Sequence, residues 1–135
     1  MANTFTLEIL ASDHPFYKGD CEMLVFPGVD GEIGILPNHE DMVTCVIEGE
    51  IRFKVEEQWR YAAVSTGFIE IVRNKAVLLA DTVERPEDID TRRAEEAKMR
   101  ALERLRQKQS IKEYYNTQAA LSRAMNRLKV KKRQQ

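Results

Sequence analysis

Between residues 84 and 94 the spacing of apolar side chains changes from two to three or four. Before this stretch, Phe5, Leu7 and Ile9 alternate with Thr4, Thr6 and Glu8, and Ile51, Phe53 and Val55 alternate with Arg52, Lys54 and Glu56. That is the period of a strand with one buried face. After it, Ala94, Ala97, Ala101 and Leu105 recur, with Leu102 beside them. That is the period of a helix. Strands first and helices last make the chain α+β. Within the stretch, Pro86 stops the last strand, and Asp88 and Asp90 are both candidate N-caps. Glu87, Glu95 and Glu96 place negative charge near the start of the helix, where its dipole favours it.

The first part reads as eight or nine short strands in about 80 residues, broken by turn signals every 8–12 residues, which is an antiparallel sandwich or barrel. The strand candidates include residues 21–26, 59–64, 68–72 and 76–83. Lys18-Gly19-Asp20 is expected to interrupt the chain, and Pro27-Gly28-Val29-Asp30-Gly31 to form a turn. Phe5, Phe26, Phe53, Trp59 and Phe68 are the expected aromatic core, and Cys21 and Cys45 are expected to be buried small hydrophobes. Two cysteines do not make a disulfide framework.

The second part reads as two helices of about 15–18 residues, each about 25 Å long, joined near Gln107-Lys108-Gln109 into an antiparallel hairpin. Ser110-Ile111-Lys112-Glu113 has the form of a capping box. Ile111, Tyr114 or Tyr115, Gln118, Leu121, Met125 and Leu128 form the expected inner stripe of the second helix, and residues 129–135 are expected to fray. The alanine-rich stripe of the first helix favours close approach of a partner helix. Such a hairpin is marginal alone and should dock on the sandwich, on a partner, or on each by turns. The expected domains are residues 1–86 and 87–135.

The net charge of −1 hides a split. Residues 1–83 carry 6 basic and 14 acidic side chains, and residues 84–135 carry 15 basic and 8 acidic. From Lys98 onward there are 12 basic and 2 acidic, a net +10. Such asymmetry points to an anionic partner, or to a solvated helix surface. Arg93 and Arg100 are seven apart and share a helix face; Arg123 and Arg127 are four apart and share another. An antiparallel hairpin brings the end of the second helix beside the start of the first, so four guanidinium groups would converge. A polyphosphate would relieve their repulsion and gain bidentate hydrogen bonds; plain surface charge is the other reading. Nucleic acid is a further candidate anion, but only Tyr114 and Tyr115 stand near the arginines and no nucleic-acid motif is present.

No catalytic constellation is present in the sequence. His14 and His39 lie in loops without a metal-ligand set. Gly31-Glu32-Ile33-Gly34 lacks the further residues of a dinucleotide or phosphate-binding loop. No secretory signal and no run of about 18 apolar residues is visible.

Three segments in order resemble the epsilon subunit of bacterial F-type ATP synthase, and the likeness covers essentially the whole chain. Phe26-Pro27-Gly28-Val29-Asp30-Gly31-Glu32-Ile33-Gly34-Ile35-Leu36-Pro37-Asn38-His39 resembles the family's Gly-x-x-Gly-x-Leu-Pro-x-His loop. Thr66-Gly67-Phe68-Ile69-Glu70, followed by Ala80-Asp81-Thr82-Val83-Glu84, resembles its last strands. Ile89-Asp90-Thr91-Arg92-Arg93-Ala94 matches the Ile/Leu-Asp-x-x-Arg-Ala signature of members that bind ATP.

The resemblance implies a sandwich of two five-stranded sheets, then a helix-turn-helix. It implies a non-catalytic rotor subunit of the central stalk that couples proton translocation to ATP synthesis. Its partners would be the gamma subunit, the c-ring and, through the basic helices, the alpha and beta subunits of the catalytic head. The loop from Glu32 to His39 would face the c-ring and gamma at one end of the sandwich. The hairpin would be a regulatory arm that folds on the sandwich or extends along gamma to block ATP hydrolysis. ATP would be a regulatory ligand of the folded state, touching Glu84, Ile89, Asp90, Arg93, Ala94, Arg100, Arg123 and Arg127. The four arginines would hold phosphates, Ile89 and Ala94 the adenine, and Glu84 and Asp90 polar edges of the base. No cofactor is required. The protein would lie at the cytoplasmic face of the bacterial plasma membrane, peripheral to it. The alternative is a stand-alone nucleotide- or nucleic-acid-binding module built on the basic helices.

Overall fold

The computed structural model describes residues 3–107 and 110–134. It divides into two units, residues 1–85 and 86–135. Among its described residues the first holds ten strands: β1 (Phe5–Ala11), β2 (Pro15–Cys21), β3 (Met23–Gly28), β4 (Gly31–Ile35), β5 (Met42–Val46), β6 (Gly49–Val55), β7 (Gln58–Val64), β8 (Gly67–Val72), β9 (Lys75–Ala80) and β10 (Val83–Glu84). They form two five-stranded sheets, ordered β2-β1-β9-β8-β5 and β10-β7-β6-β3-β4. All pairs are antiparallel except one. β1 runs parallel to β9, with Thr6 opposite Lys75 and Ala11 opposite Ala80.

The count exceeds eight or nine because two apparent runs are each two strands. Glu22 separates β2 from β3, and residues 81–82 separate β9 from β10. Gly19 does not interrupt β2; it stands opposite Leu7 within the β1–β2 ladder. The turn expected at residues 27–31 is shorter. Gly28 and Gly31 pair across β3 and β4, leaving Val29 and Asp30 as the loop, and only Gly31 uses a positive φ, of 126°.

The inner faces of the two sheets make one core. Phe5, Leu7 and Ile9 of β1 meet Ile69, Ile71 and Leu78 from the same sheet and Leu24, Phe26, Ile51 and Phe53 from the other. Each fully buried side chain of this size is worth about 2–3 kcal/mol of apolar transfer. Trp59 and Phe68 are corrections to the expected core: they are 39% and 48% exposed. Phe68 shares its parity with Glu70, while Ile69 and Ile71 take the inside. Trp59 lies on an outer face with Arg52 and Lys54 about its ring, at 5.9 and 6.0 Å. Cys45 is also a correction. It stands opposite Phe68 on the same outer face and is exposed, whereas Cys21 is buried.

The second unit opens with a 3-10 turn at Pro86–Asp88, then α1 (Thr91–Leu105) and α2 (Ile111–Lys131). Of the two candidate caps Asp90 is the one used, its side chain accepting from the Arg93 N–H. Ser110 caps α2 through the Glu113 N–H, at 3.2 Å. Lys108 and Gln109, at the expected joint, lie outside the described residues. The helices pack on each other. Ala94 and Ala101 are buried on α1, as the alanine stripe implies.

On α2 the buried residues are Thr117, Ala124 and Val130, not the expected stripe. Ile111, Tyr114, Tyr115 and Met125 are exposed and so is Gln118, while Leu121 and Leu128 are half-buried. Close helix packing selects small side chains; Leu121 and Leu128 border the seam, and the rest of the larger apolar stripe is turned away. Of the stretch expected to fray, Gln135 lies outside the described residues, and from Lys129 to Gln134 the chain is helical. α2 continues to Lys131, and a 3-10 turn follows at Lys132–Gln134. Among the described residues no helix is long and apolar enough to cross a membrane.

Candidate functional site

The arginine set is built from the helix seam outward. Steps of about 100° per residue place Arg93 and Arg100 roughly 100–120° round α1 from buried Ala94. The same steps place Arg123 and Arg127 roughly 60–100° round α2 from buried Ala124, in the same rotational sense. In an antiparallel pair, equal rotation on two facing helices opens to one side. All four arginines therefore lie on one flank of the hairpin, and all four are exposed. Arg92, by contrast, is on the far side of α1 and pairs with Glu96 at 3.2 Å. Arg93, Arg100 and Arg123 form no ion pair with a described residue. Three exposed guanidinium groups without a carboxylate partner among the described residues are suited to phosphate oxygens.

The start of α1 carries three more of the expected residues. Ile89 is buried, and its N–H bonds the carbonyl of Pro86 at 3.3 Å. Asp90 has an extended backbone, φ −79° and ψ 101°, and accepts from the Arg93 N–H at 3.1 Å. Its carbonyl accepts from the Ala94 N–H at 3.0 Å. Glu84 belongs to the other unit, on β10, opposite Ala63. A shallow hollow of about 670 Å³ runs along α1, lined by Thr91, Arg92, Glu95, Glu96, Met99 and Arg100. Only Arg100 of the expected set lines it, so this hollow is not the flank on which the arginines converge.

The structure separates Glu32 from His39. The stretch between them is not a loop, because Gly31–Ile35 is strand β4, paired with β3. Glu32 lies beside the Val29-Asp30 turn, and His39 follows the other end of the strand. Glu32 and His39 are separated by about 10 Å of strand, at roughly 3.3 Å per residue, and by the turn that follows Ile35. They belong to opposite ends of the sandwich, which corrects the single contact loop expected from the sequence. Glu32 is exposed, and its carboxylate accepts from Arg52 Nη1 at 3.0 Å. His39 Nδ1 lies 2.8 Å from the carbonyl of Glu40. A carbonyl only accepts, so Nδ1 carries the proton of that bond and a neutral ring keeps Nε2 as an acceptor.

A further surface escaped the sequence reading. In the first sheet Leu10, Leu79, Phe68 and Cys45 fall in one row across β1, β9, β8 and β5, all facing outward. Val43, next on the same face of β5, is 68% exposed. The signal was present in the parity of Phe68 with Glu70 and of Val43 with Cys45, but aromatic and apolar content outweighed it.

Two family models match the chain in order. The β-sandwich domain of the ATP synthase delta/epsilon chain matches residues 4–86, and its long α-helix domain matches residues 87–132. The ATP synthase epsilon chain of Caldicellulosiruptor bescii is 47% identical over 126 residues, covering 93% of this chain and 92% of that one. The same chain of Ruminiclostridium cellulolyticum is 45% identical over 125 residues, covering 93% of each. Among solved structures, a chain of the Euglena gracilis mitochondrial ATP synthase is similar with a TM-score of 0.73 at 16% identity, covering 96% of this chain and 78% of that one. That last likeness carries the fold alone. With both domain models matched in sequence order, and relatives this close along nearly the whole length, the chain belongs to the ATP synthase delta/epsilon family as an epsilon chain.

Proposed function

We propose that this epsilon chain, a non-catalytic component of the synthase, regulates ATP hydrolysis through its helical unit and senses ATP there. The observation that carries the reading is the placement of Arg93, Arg100, Arg123 and Arg127 on one flank of the hairpin. A nucleotide bound there ties α1 to α2 and favours the paired state. A ligand shifts such an equilibrium only by binding one state better than the other. The helical unit suits a two-state role, because its buried residues are mostly small and its charge is strongly positive. In its other state that charge would meet acidic segments of the alpha and beta subunits.

The sandwich is the part that joins the rotor. Its outward apolar row through Leu10, Leu79 and Phe68 is of the kind that marks a protein interface, here for gamma. Glu32 would meet the c-ring and His39 gamma, from opposite ends. In this role the chain couples proton flow to synthesis without crossing the membrane, at the cytoplasmic face of a bacterial plasma membrane.

Two measurements test the reading. Isothermal titration of ATP into the full chain should give saturable binding that Arg123→Ala and Arg127→Ala weaken. Absence of binding at millimolar ATP would reject sensing. Hydrolysis by the assembled synthase should rise when the chain ends before Glu87, and unchanged hydrolysis would reject regulation by the arm.

A further inference from the structure

The turn between β8 and β9 consists of Arg73 and Asn74, with φ 49° and 63°, between the paired residues Val72 and Lys75. Two left-handed residues are what a tight hairpin needs, and asparagine tolerates that conformation. The side chain of Asn74 is nevertheless engaged well beyond its turn. Its Oδ1 accepts the backbone N–H of Asn38 at 2.6 Å, and its Nδ2 donates to the carbonyl of Thr4 at 3.1 Å. Its own carbonyl accepts from the Thr6 N–H at 3.1 Å. Beside it, the Arg73 N–H donates to the Asp41 carboxylate at 3.0 Å. Asn38 and Asp41 are thus each tied to this turn, and His39 and Glu40 are the two residues between the ties.

We propose that Asn74 is a positioning residue, which fixes the Asn38 backbone and so presents His39 to gamma. The inference rests on the reading of His39 as a contact residue. The segment between β4 and β5 has no ladder of its own to order it. A loop that must order on docking loses affinity, and a loop ordered beforehand does not. Asn74 supplies that order through a side chain 36 residues away from Asn38, while the strands on either side of its turn belong to the rigid sheet. Thr4, just before β1, anchors the other end of the amide, so the Asn74 side chain cannot swing out without losing a second bond.

The test uses the full chain and a catalytic head with gamma, prepared without this chain, at a temperature where circular dichroism shows every variant folded. Asn74→Gly keeps the left-handed turn, since glycine accepts positive φ, and deletes both side-chain bonds. It is expected to weaken binding by about three- to tenfold, chiefly through faster dissociation. Hydrogen exchange at the Asn38 amide should accelerate in the same variant. Asn74→Asp keeps an oxygen for the Asn38 N–H but loses the donor to the Thr4 carbonyl, so it should weaken binding measurably less than Asn74→Gly does. Asp41→Ala, which breaks the second tie, should move affinity in the same direction as Asn74→Gly.

If His39→Ala weakens binding and Asn74→Gly does not, the positioning role is wrong and the contact reading stands. If His39→Ala binds like the parent, the contact reading fails and the positioning role falls with it. Equal weakening by Asn74→Gly and Asn74→Asp would also overturn the proposal, because the bond to Asn38 would then not be the cause.

Discussion

The Asp90 carboxylate accepts the backbone N–H of Arg93 at 3.1 Å, so the residue that starts α1 also fixes the first arginine of the basic flank. Asp90→Ala leaves that N–H without its cap and is expected to cost the helical unit about 1 kcal/mol. Asp90→Asn keeps an acceptor oxygen and should recover most of the loss. Thermal melts followed by circular dichroism measure both. ATP titration of the same pair separates two roles. If the cap is what matters, asparagine restores binding; if the negative charge is, asparagine fails as alanine does.

Arg100 and Arg92 give a test of the flank itself. Both are exposed and both line the hollow along α1, but only Arg100 also belongs to the flank that α1 shares with α2. Arg100→Lys keeps the charge but not the planar fork, and should weaken ATP binding by about tenfold. Arg92→Ala removes a charge from the other side, where Arg92 already pairs with Glu96. It should leave ATP affinity within about twofold, since an exposed pair contributes little. A larger effect at Arg92 than at Arg100 would place the nucleotide in the hollow along α1 instead.

Gly67 illustrates a constraint of close approach rather than of backbone angle. It lies opposite Ala80 on β9 and Val46 on β5, and a Cβ there would collide with the Leu79 carbonyl. Gly67→Ala is expected to destabilise the sandwich by about 2–3 kcal/mol, because backbone of a central strand has to move. Gly34 on the edge strand β4 is the control. A Cβ there meets only the end of the Met23 side chain, at 3.3 Å, which can swing aside. Gly34→Ala should change stability by no more than about 0.5 kcal/mol. Urea unfolding of the two variants compares them directly.

Much of the fold was legible where one signal dominated. β1 and β6 alternate cleanly, and their buried sets are those that the period selects. The cap at Ser110 followed from local chemistry alone, and the same chemistry narrowed the cap of α1 to Asp88 or Asp90. On α2 the burial departs from the expected stripe because the helix carries two stripes. The large one, through Ile111, Tyr115 and Met125, is the more hydrophobic; the small one, through Thr117 and Ala124, is the one buried. Periodicity cannot choose between them, since the choice depends on how closely the neighbouring helix approaches. Phe68 and Cys45 were misplaced for a related reason. Which face of β8 points inward is decided by the whole sheet, not by the most apolar residue on the strand.

The candidate site divides in the same way. Spacing along one helix is enough to pair Arg93 with Arg100 and Arg123 with Arg127, and handedness then puts the pairs on one side. Glu32 and His39 lie only seven residues apart in sequence, yet a strand separates them in space. The bond from Asn74 to Asn38 had no local signal, because its partners meet only once both sheets are formed.

The two cysteines should behave oppositely. Cys45 is exposed on the outer face, while Cys21 is buried and its thiol donates to the Met23 carbonyl at 3.2 Å. Burial pushes the Cys21 thiol above its ordinary value. A thiol-disulfide reagent at mildly alkaline pH should therefore modify Cys45 quickly and Cys21 only on unfolding. The same burial makes stability depend on pH, with a definite sign. The unfolded thiol gives up its proton near pH 8.5, about where a free cysteine does. The folded chain still holds the proton there, so above that pH the unfolded state binds fewer protons and stability falls as pH rises. The contribution is complete below about pH 8 and declines above it, by at most about 1.4 kcal/mol per pH unit. Tyr17, also raised by burial, adds a loss of the same sign only nearer pH 10. Urea unfolding from about pH 7 to about pH 9.5 should show the decline in the parent and a flatter profile in Cys21→Ala, which starts from a lower stability because the core loses a sulfur. A decline of equal slope in both chains would mean that the proton responsible is not on Cys21.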